Sequence, residues 1–390
     1  MGSEQRFSPP SWRKELADVY VPFDFGLDSA QEECAQRLHE RSLIIDGLGG
    51  SMLMRPAPDV DGADRIDQYR HNRVTVSNET IAMPGEGTRA TLKRVFDYLC
   101  LDEVSEGRTR RVRTVDDIRR HHADGTLGLV YGLQAADPFE ADTYLVPIFH
   151  ELGVRIANLV YNERNRLGDG CMESTDLGLT AYGKGIVLEM NRVGMTVDLS
   201  HTGPRTSLDA AAVAQAPAVF SHSCARALTD HPRNVTDEQI RAVAATGGLI
   251  GLCPHSQFCE KQRGERPTVD DFLDHIEHAV ELVGIEHVGI GTDLFGGQTL
   301  GETVFRFQFG RQVPGAWGGY GIESKYVSGF DTVYGWLNVT RGLVARGFDD
   351  AAVGAILGGN WLRVFGATWG GASGDRGTDA DRGSTAGRDA

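Results

Sequence analysis

Residues Met195 to His222 read MTVDLSHTGPRTSLDAAAVAQAPAVFSH. The opening run, Met195 to Ser200, and the later run, Ala218 to Ser221, are short, apolar and β-branched, which predicts strands. Between them Thr206 to Ala214 predicts a helix, so the stretch reads as a strand, a helix and a second strand. A histidine follows each strand directly, His201 after the first and His222 after the second.

The same alternation extends in both directions. Upstream, Leu43 to Asp46, Arg73 to Ser77, Leu127 to Leu133 and Val154 to Tyr161 predict strands; downstream, Gly248 to Cys253 and His287 to Thr292 do. Thr236 to Ala245 and Val269 to Val283 predict helices, the former opened by Thr236 with Gln239 three residues later, a capping-box pattern. Eight strands with intervening helices predict a closed α/β barrel of the (β/α)8 or TIM type. In that fold the chemistry sits where strands end and loops begin. The polar residues at those ends are Asp46, Gln134, Tyr161, Asn162, His201, His222, His255 and Asp293. Two histidines and an aspartate at one mouth suit a divalent cation such as zinc, whose usual non-sulfur ligands are imidazole and carboxylate.

The 390 residues, 41% hydrophobic and 24% charged, suffice for one large domain. Residues 1–30 read as an irregular N-terminal arm, 31–369 as the barrel, and the Gly-, Asp- and Ser-rich residues 370–390 as a disordered tail. No run of eighteen apolar residues occurs, the N-terminus lacks the apolar core of a signal peptide, and the C-terminus lacks a tail exchangeable for a lipid anchor. A cytoplasmic protein with no membrane attachment is the expectation. The six cysteines form no CxxC pair and read as buried thiols. A formal net charge of -15 argues against nucleic-acid binding and leaves a small molecule as the expected partner.

The blocks MNRVGMTVDLSHTG (Met190 to Gly203), FSHSCARAL (Phe220 to Leu228), HPRNVTDEQIRAVAATGGLIGL (His231 to Leu252) and HVGIGTDLFG (His287 to Gly296) resemble consecutive blocks of the membrane (renal) dipeptidases, peptidase family M19. GVRIANLVYNERNRLGDGC and DLGLTAYGKGIVLEMN upstream, and ILGGNWLRVFG downstream, extend the likeness over most of residues 40–368. The resemblance implies a barrel of the metal-dependent hydrolase type, a dipeptide substrate, and two zinc ions that share a bridging glutamate and activate water. It implies that His201 and His222 bind the second metal. Asp293 would contact the first metal and carry the proton of the attacking water and leaving amine. Arg233 of the RN pair would clamp the substrate carboxylate, with Asn234 beside it. Family members are often dimers, so a homodimer is part of the expectation.

The chain departs from the family pattern at the site itself. A His-x-Asp pair belongs after the first strand, but DGLGG places Leu48 and Gly50 there. The bridging glutamate matches Gln134, which carries no full charge, and the histidine after the fourth strand matches Tyr161, which can still donate a hydrogen bond. With Asp293 the one family carboxylate left, the expectation is a single zinc held by His201 and His222, with Asp293 or Gln134 and water completing the shell. Gln134 reads as a substrate contact ahead of a ligand or a polar residue filling the space of the lost glutamate, and Arg233 as a substrate contact ahead of a residue that ties down its own loop. Asp46 and Asp198 read as residues that support the ligands from behind or bond backbone, and His255, without a family counterpart, as a solvated loop residue ahead of a third nitrogen ligand. The aromatic, Gly-rich loop from Gly296 to Ser328 is a lid or an oligomer contact. The functional expectation is a dipeptidase-like hydrolase with Asp293 and Tyr161 catalytic. The alternatives are a non-hydrolytic single-metal enzyme (decarboxylase, lyase or isomerase) on a small carboxylate, or a metal-free pseudoenzyme.

Overall fold

The computed structural model describes residues 20–51, 62–262, 264–294, 320 and 324–369. In chain order the strands are β1 (Ile44–Gly50), β2 (Val74–Ala82), β3 (Thr109–Arg111), β4 (Leu127–Leu133), β5 (Val154–Asn158), β6 (Thr196–Asp198), β7 (Ala218–Ser223), β8 (Leu249–Leu252) and β9 (Val288–Ile290). All but β3 follow one another, parallel, around a nearly closed α/β barrel in the order β1-β2-β4-β5-β6-β7-β8-β9. Each expected strand is present. The unexpected β3, with the sequence TRR, has no apolar pattern to announce it; it lies off this path and pairs with the start of β4, Thr109 opposite Leu127.

Alternation along the strands builds two apolar layers. Ile45, Val76, Val130, Ile156, Val219 and Leu249 pack together with Trp361, Val364 and Phe365. Their neighbours Ile44, Leu129, Ala157, Phe220 and Ile250 face the larger cluster shared with the surrounding helices. Trp361, on the helix Asn360–Trp369, plugs the inner layer, and its indole N–H donates to the Ile290 carbonyl at 3.0 Å. The barrel strands make room for it with glycine: a Cβ at Gly47 would lie 2.1 Å from the Trp361 ring, and one at Gly289 2.7 Å. β9 meets β1 through the Asp293 N–H, which donates to the Leu48 carbonyl at 2.6 Å, and through Thr292, whose N–H and hydroxyl donate to the Asp46 carboxylate at 2.8 and 2.5 Å.

The helix Asp237–Ala245 has the expected capping box between Thr236 and Gln239, and Val269–Val283 is capped by Thr268. Pro204–Val213 starts earlier than the expected Thr206 because proline is pre-set for the first turn of a helix. Within the expected N-terminal arm, Tyr20 and Phe23 bind Asn338 of the helix Trp336–Ala345, and the helix Ser29–Arg41 begins. The expected tail, 370–390, and most of the expected lid lie outside the described residues. The end of that loop is described: Lys325 and Val327 pair with Ser256 and Pro254 at 2.8 and 2.9 Å, laying the segment against the end of β8. Among the described residues no helix is long and apolar enough to cross a membrane.

Candidate metal and substrate site

His201 stands three residues past β6 and His222 within β7, and their Nε2 atoms face each other at 2.8 Å. What holds the other ring nitrogens determines what those Nε2 atoms can do. His201 Nδ1 lies 2.7 Å from Asn162 Oδ1, an acceptor, and the Cys171 thiol donates to the same oxygen. His222 Nδ1 lies 2.7 Å from the Ser221 hydroxyl, which donates its own proton to Asp198 and so presents a lone pair to the ring. Both imidazoles therefore carry their proton on Nδ1. Two bare Nε2 lone pairs converge at 2.8 Å, an arrangement that repels unless a cation is shared between them. Burial, reinforced by the Arg233 charge, holds both histidines well below their ordinary pKa, in the neutral form that ligates metals.

Asp293 approaches from β9. Its Oδ1 is buried without a hydrogen-bond partner among the described residues, as is Gln134 Nε2 at the end of β4. Burial raises Asp293 to about 6, while Lys325, Arg233 and the Gln134 amide pull it back down. His201 and Asp293 are both non-glycine residues in the left-handed region, at φ +69 and +50. Backbone of that kind costs on the order of 1 kcal/mol or more per residue and collects at functional sites. The neutral histidine pair and the orphaned carboxylate oxygen fit a divalent cation.

His255 is not a solvated loop residue: it is fully buried, with Nε2 3.3 Å from Asp293 Oδ2 and its ring stacked on Phe258. The reason is tertiary: past the end of β8, His255 forms a β-bridge with Tyr326, and the Ser256 and Val327 N–H groups donate to the Lys325 and Pro254 carbonyls, so the segment is covered rather than solvated.

Arg233 is buried. Its guanidinium donates to the His222 carbonyl at 3.1 Å and lies 5.3 Å from the Phe258 ring centroid. Asn234 beside it ties its loop together, its amide N–H2 donating to the carbonyls of Thr229 and Phe258. Tyr161 stacks on His201 with ring centroids 3.8 Å apart, and burial followed by Asp293 raises its phenol far above neutrality. Tyr161 and Asn162 also line a depression of about 300 Å³ with Gly85, Asp137, Glu163 and Arg164.

At the end of β1, Leu48 is buried and Gly50 sits at φ +93, so neither supplies a ligand side chain. Asp46 is occupied by Thr292 and by the Leu48 N–H at 3.3 Å, and burial pushes it up to about 8; Asp198 likewise accepts from the N–H groups of Ser200 and Ser221. Sequence reasoning missed Lys325. It is buried with its ammonium 4.8 Å from the Tyr326 ring centroid, and its charge reaches Asp293, His222 and His255. A lysine in a polar loop carries no signal of burial, because only the pairing with Pro254 and Ser256 brings it inward.

Parallel strands around a nearly closed barrel, with paired neutral imidazoles and a carboxylate at the carboxyl-terminal mouth, define an α/β barrel of the metal-dependent hydrolase type. The chain belongs to the membrane dipeptidase family, peptidase family M19, whose family model matches residues 33–304. It is 37% identical over 185 residues to an uncharacterized dipeptidase of Schizosaccharomyces pombe, covering 46% of this chain and 44% of that protein. It is 30% identical over 283 residues to the dipeptidase verJ of Clonostachys rogersoniana, covering 72% and 65%. The matched stretches thus span about half to two thirds of these relatives' length. An amidohydrolase structure from Pseudomonas aeruginosa superposes with a TM-score of 0.78 at 32% identity, covering 86% of this chain and 99% of that one. The family is one of metallopeptidases, which implies a metal cofactor.

Proposed function

We propose that this protein is a dipeptidase-like hydrolase that cleaves a dipeptide or another small amide, using one zinc ion held at the mouth by His201, His222 and Asp293. The convergence of the two Nε2 atoms at 2.8 Å, with both Nδ1 positions held by acceptors, carries this reading. A cation there supplies Lewis-acid polarisation of the amide carbonyl and brings the pKa of water near neutrality.

The chain's own residues do the rest. Asp293 holds the cation through its unpartnered Oδ1, and its second oxygen, Oδ2, 3.3 Å from His255 Nε2, accepts the proton of the attacking water and returns it to the leaving amine. Arg233, held by the His222 carbonyl and backed by Phe258, presents a fork that pairs with the two oxygens of a substrate carboxylate. Tyr161, kept protonated by burial, donates to the substrate oxygen, and the Gln134 amide is placed to contact the substrate beside Asp293. Asn234 holds the Arg233 loop and leaves its buried Oδ1 as a further acceptor. The acidic net charge of -15 supports a small-molecule partner rather than nucleic acid, and the reading extends to a cytoplasmic homodimer.

The test is zinc content by mass spectrometry, with amine release from a panel of dipeptides. His201→Ala/His222→Ala should hold one equivalent of zinc fewer than the wild type and release amino acids only at the background rate. Unchanged zinc in that variant would refute the ligand assignment. Zinc at the mouth without dipeptide cleavage would direct the search to non-hydrolytic chemistry on small carboxylates.

A further inference from the structure

Behind the mouth the fold gathers three of the six cysteines that the sequence scatters. Cys224 directly follows β7, Cys253 directly follows β8, and Cys259 ends the short helix Ser256–Cys259 that begins after His255. All three are buried, and so is His275 on the outer helix Val269–Val283. The sulfurs of Cys224 and Cys259 lie 3.9 Å apart, and both face the Cys253 carbonyl oxygen, at 3.1 and 3.6 Å. A nitrogen of His275 completes a group whose ligand atoms all lie within 4.8 Å of one another.

We propose that Cys224, Cys259 and His275 form a second, structural site for a thiophilic divalent cation such as zinc, with the Cys253 carbonyl oxygen as the fourth donor. The spacing is that of a tetrahedral centre. With zinc–sulfur bonds of about 2.3 Å and tetrahedral angles, two sulfurs stand about 3.8 Å apart. The donor set is also the right one. Two thiols that give up their protons to solvent on binding neutralise a dication, which a dry interior requires. The Ala225 N–H donates to His275 Nδ1 at 3.2 Å, so that nitrogen carries a lone pair turned toward the chain segment that bears Cys224. A cation would take over that lone pair from the amide.

Such a site links the end of the strand that carries His222, the segment that carries His255, and the outer helix. It is a staple for the mouth rather than part of the chemistry. It shares no residue with the proposed catalytic ligands, so the two assignments succeed or fail separately.

The experiment uses the full chain purified without chelator, its metal counted by mass spectrometry, and a second preparation substituted with cobalt(II). Cys224→Ser/Cys259→Ser should lose one equivalent of metal that His201→Ala/His222→Ala keeps. The cobalt protein should show thiolate-to-metal charge transfer in the near ultraviolet, absent from the cysteine variant and present in the histidine variant. If the double serine variant does not fold, His275→Gln is used, with the same expected loss. Wild-type cobalt protein without a thiolate band, or a cysteine variant with undiminished metal, would overturn the proposal and leave a cluster of thiols hydrogen-bonded to a carbonyl.

Discussion

His222 gains its orientation from a single hydroxyl. Ser221 is the link through which Asp198 orients the imidazole, and removing it leaves Nδ1 without its acceptor while the ligand itself stays in place. Groups of this kind are worth about 10–100-fold in metal affinity. Ser221→Ala should therefore weaken zinc binding by about that factor, read by competition with a chromophoric chelator; an unchanged affinity would mean that Asp198 does not act through the hydroxyl. Arg233 is tested by Arg233→Met, which keeps the packing on Phe258 and removes the fork. Losing a charge-assisted hydrogen bond costs about 1.5–3 kcal/mol, so KM for a dipeptide should rise by about 10–150-fold with a smaller change in kcat. A fall in kcat alone would place Arg233 elsewhere in the reaction.

Individual elements show how little of a helix or strand needs tertiary help. In the helix Asp237–Ala245 the Thr236 hydroxyl accepts from the Gln239 N–H at 3.3 Å, and the Gln239 side chain accepts from the Thr236 N–H at 2.8 Å. Gln239 also donates to the Ser207 hydroxyl at 2.7 Å, tying this helix to its neighbour Pro204–Val213. Thr236→Ala should lower the unfolding free energy by about 1 kcal/mol in a urea titration with little change in the slope. A loss several times larger would show that the cap also fixes the Arg233 loop just before it.

The molecule as a whole depends on the plug in the barrel floor and on keeping buried histidines neutral. Trp361 fills space that Gly47, Gly251 and Gly289 leave open, so Trp361→Ala should cost about 3–5 kcal/mol, measured as a fall in the urea midpoint. His39, buried and bonded through Nδ1 to the Thr340 hydroxyl at 2.9 Å, is lowered by burial to about 4. The unfolded chain takes up this proton near pH 6.5 and the folded chain only near 4. The His39 contribution is thus complete above pH 6.5 and is lost as pH falls toward 4, a total of about 3 kcal/mol. His39→Gln should remove most of that pH dependence between 7 and 4.5; an unaltered dependence would assign the acid sensitivity to other groups.

The sequence by itself determined the barrel, because each of its eight path strands carries its own apolar run and helices such as Asp237–Ala245 and Val269–Val283 carry their own caps, and these are local properties. It also placed His201, His222 and Asp293 at strand ends, where a barrel collects its chemistry. Only the tertiary structure decided which nitrogen of each histidine is bare, since Asn162 and Ser221 reach the rings from other loops or strands or by a turn of the side chain. It likewise decided that His255 and Lys325 are buried, and that Cys224, Cys259 and His275 meet. Those contacts join residues far apart along the chain. The side chains that make them have the same composition and local pattern whether they end in solvent or in the core, so nothing short of the packed fold distinguishes the two.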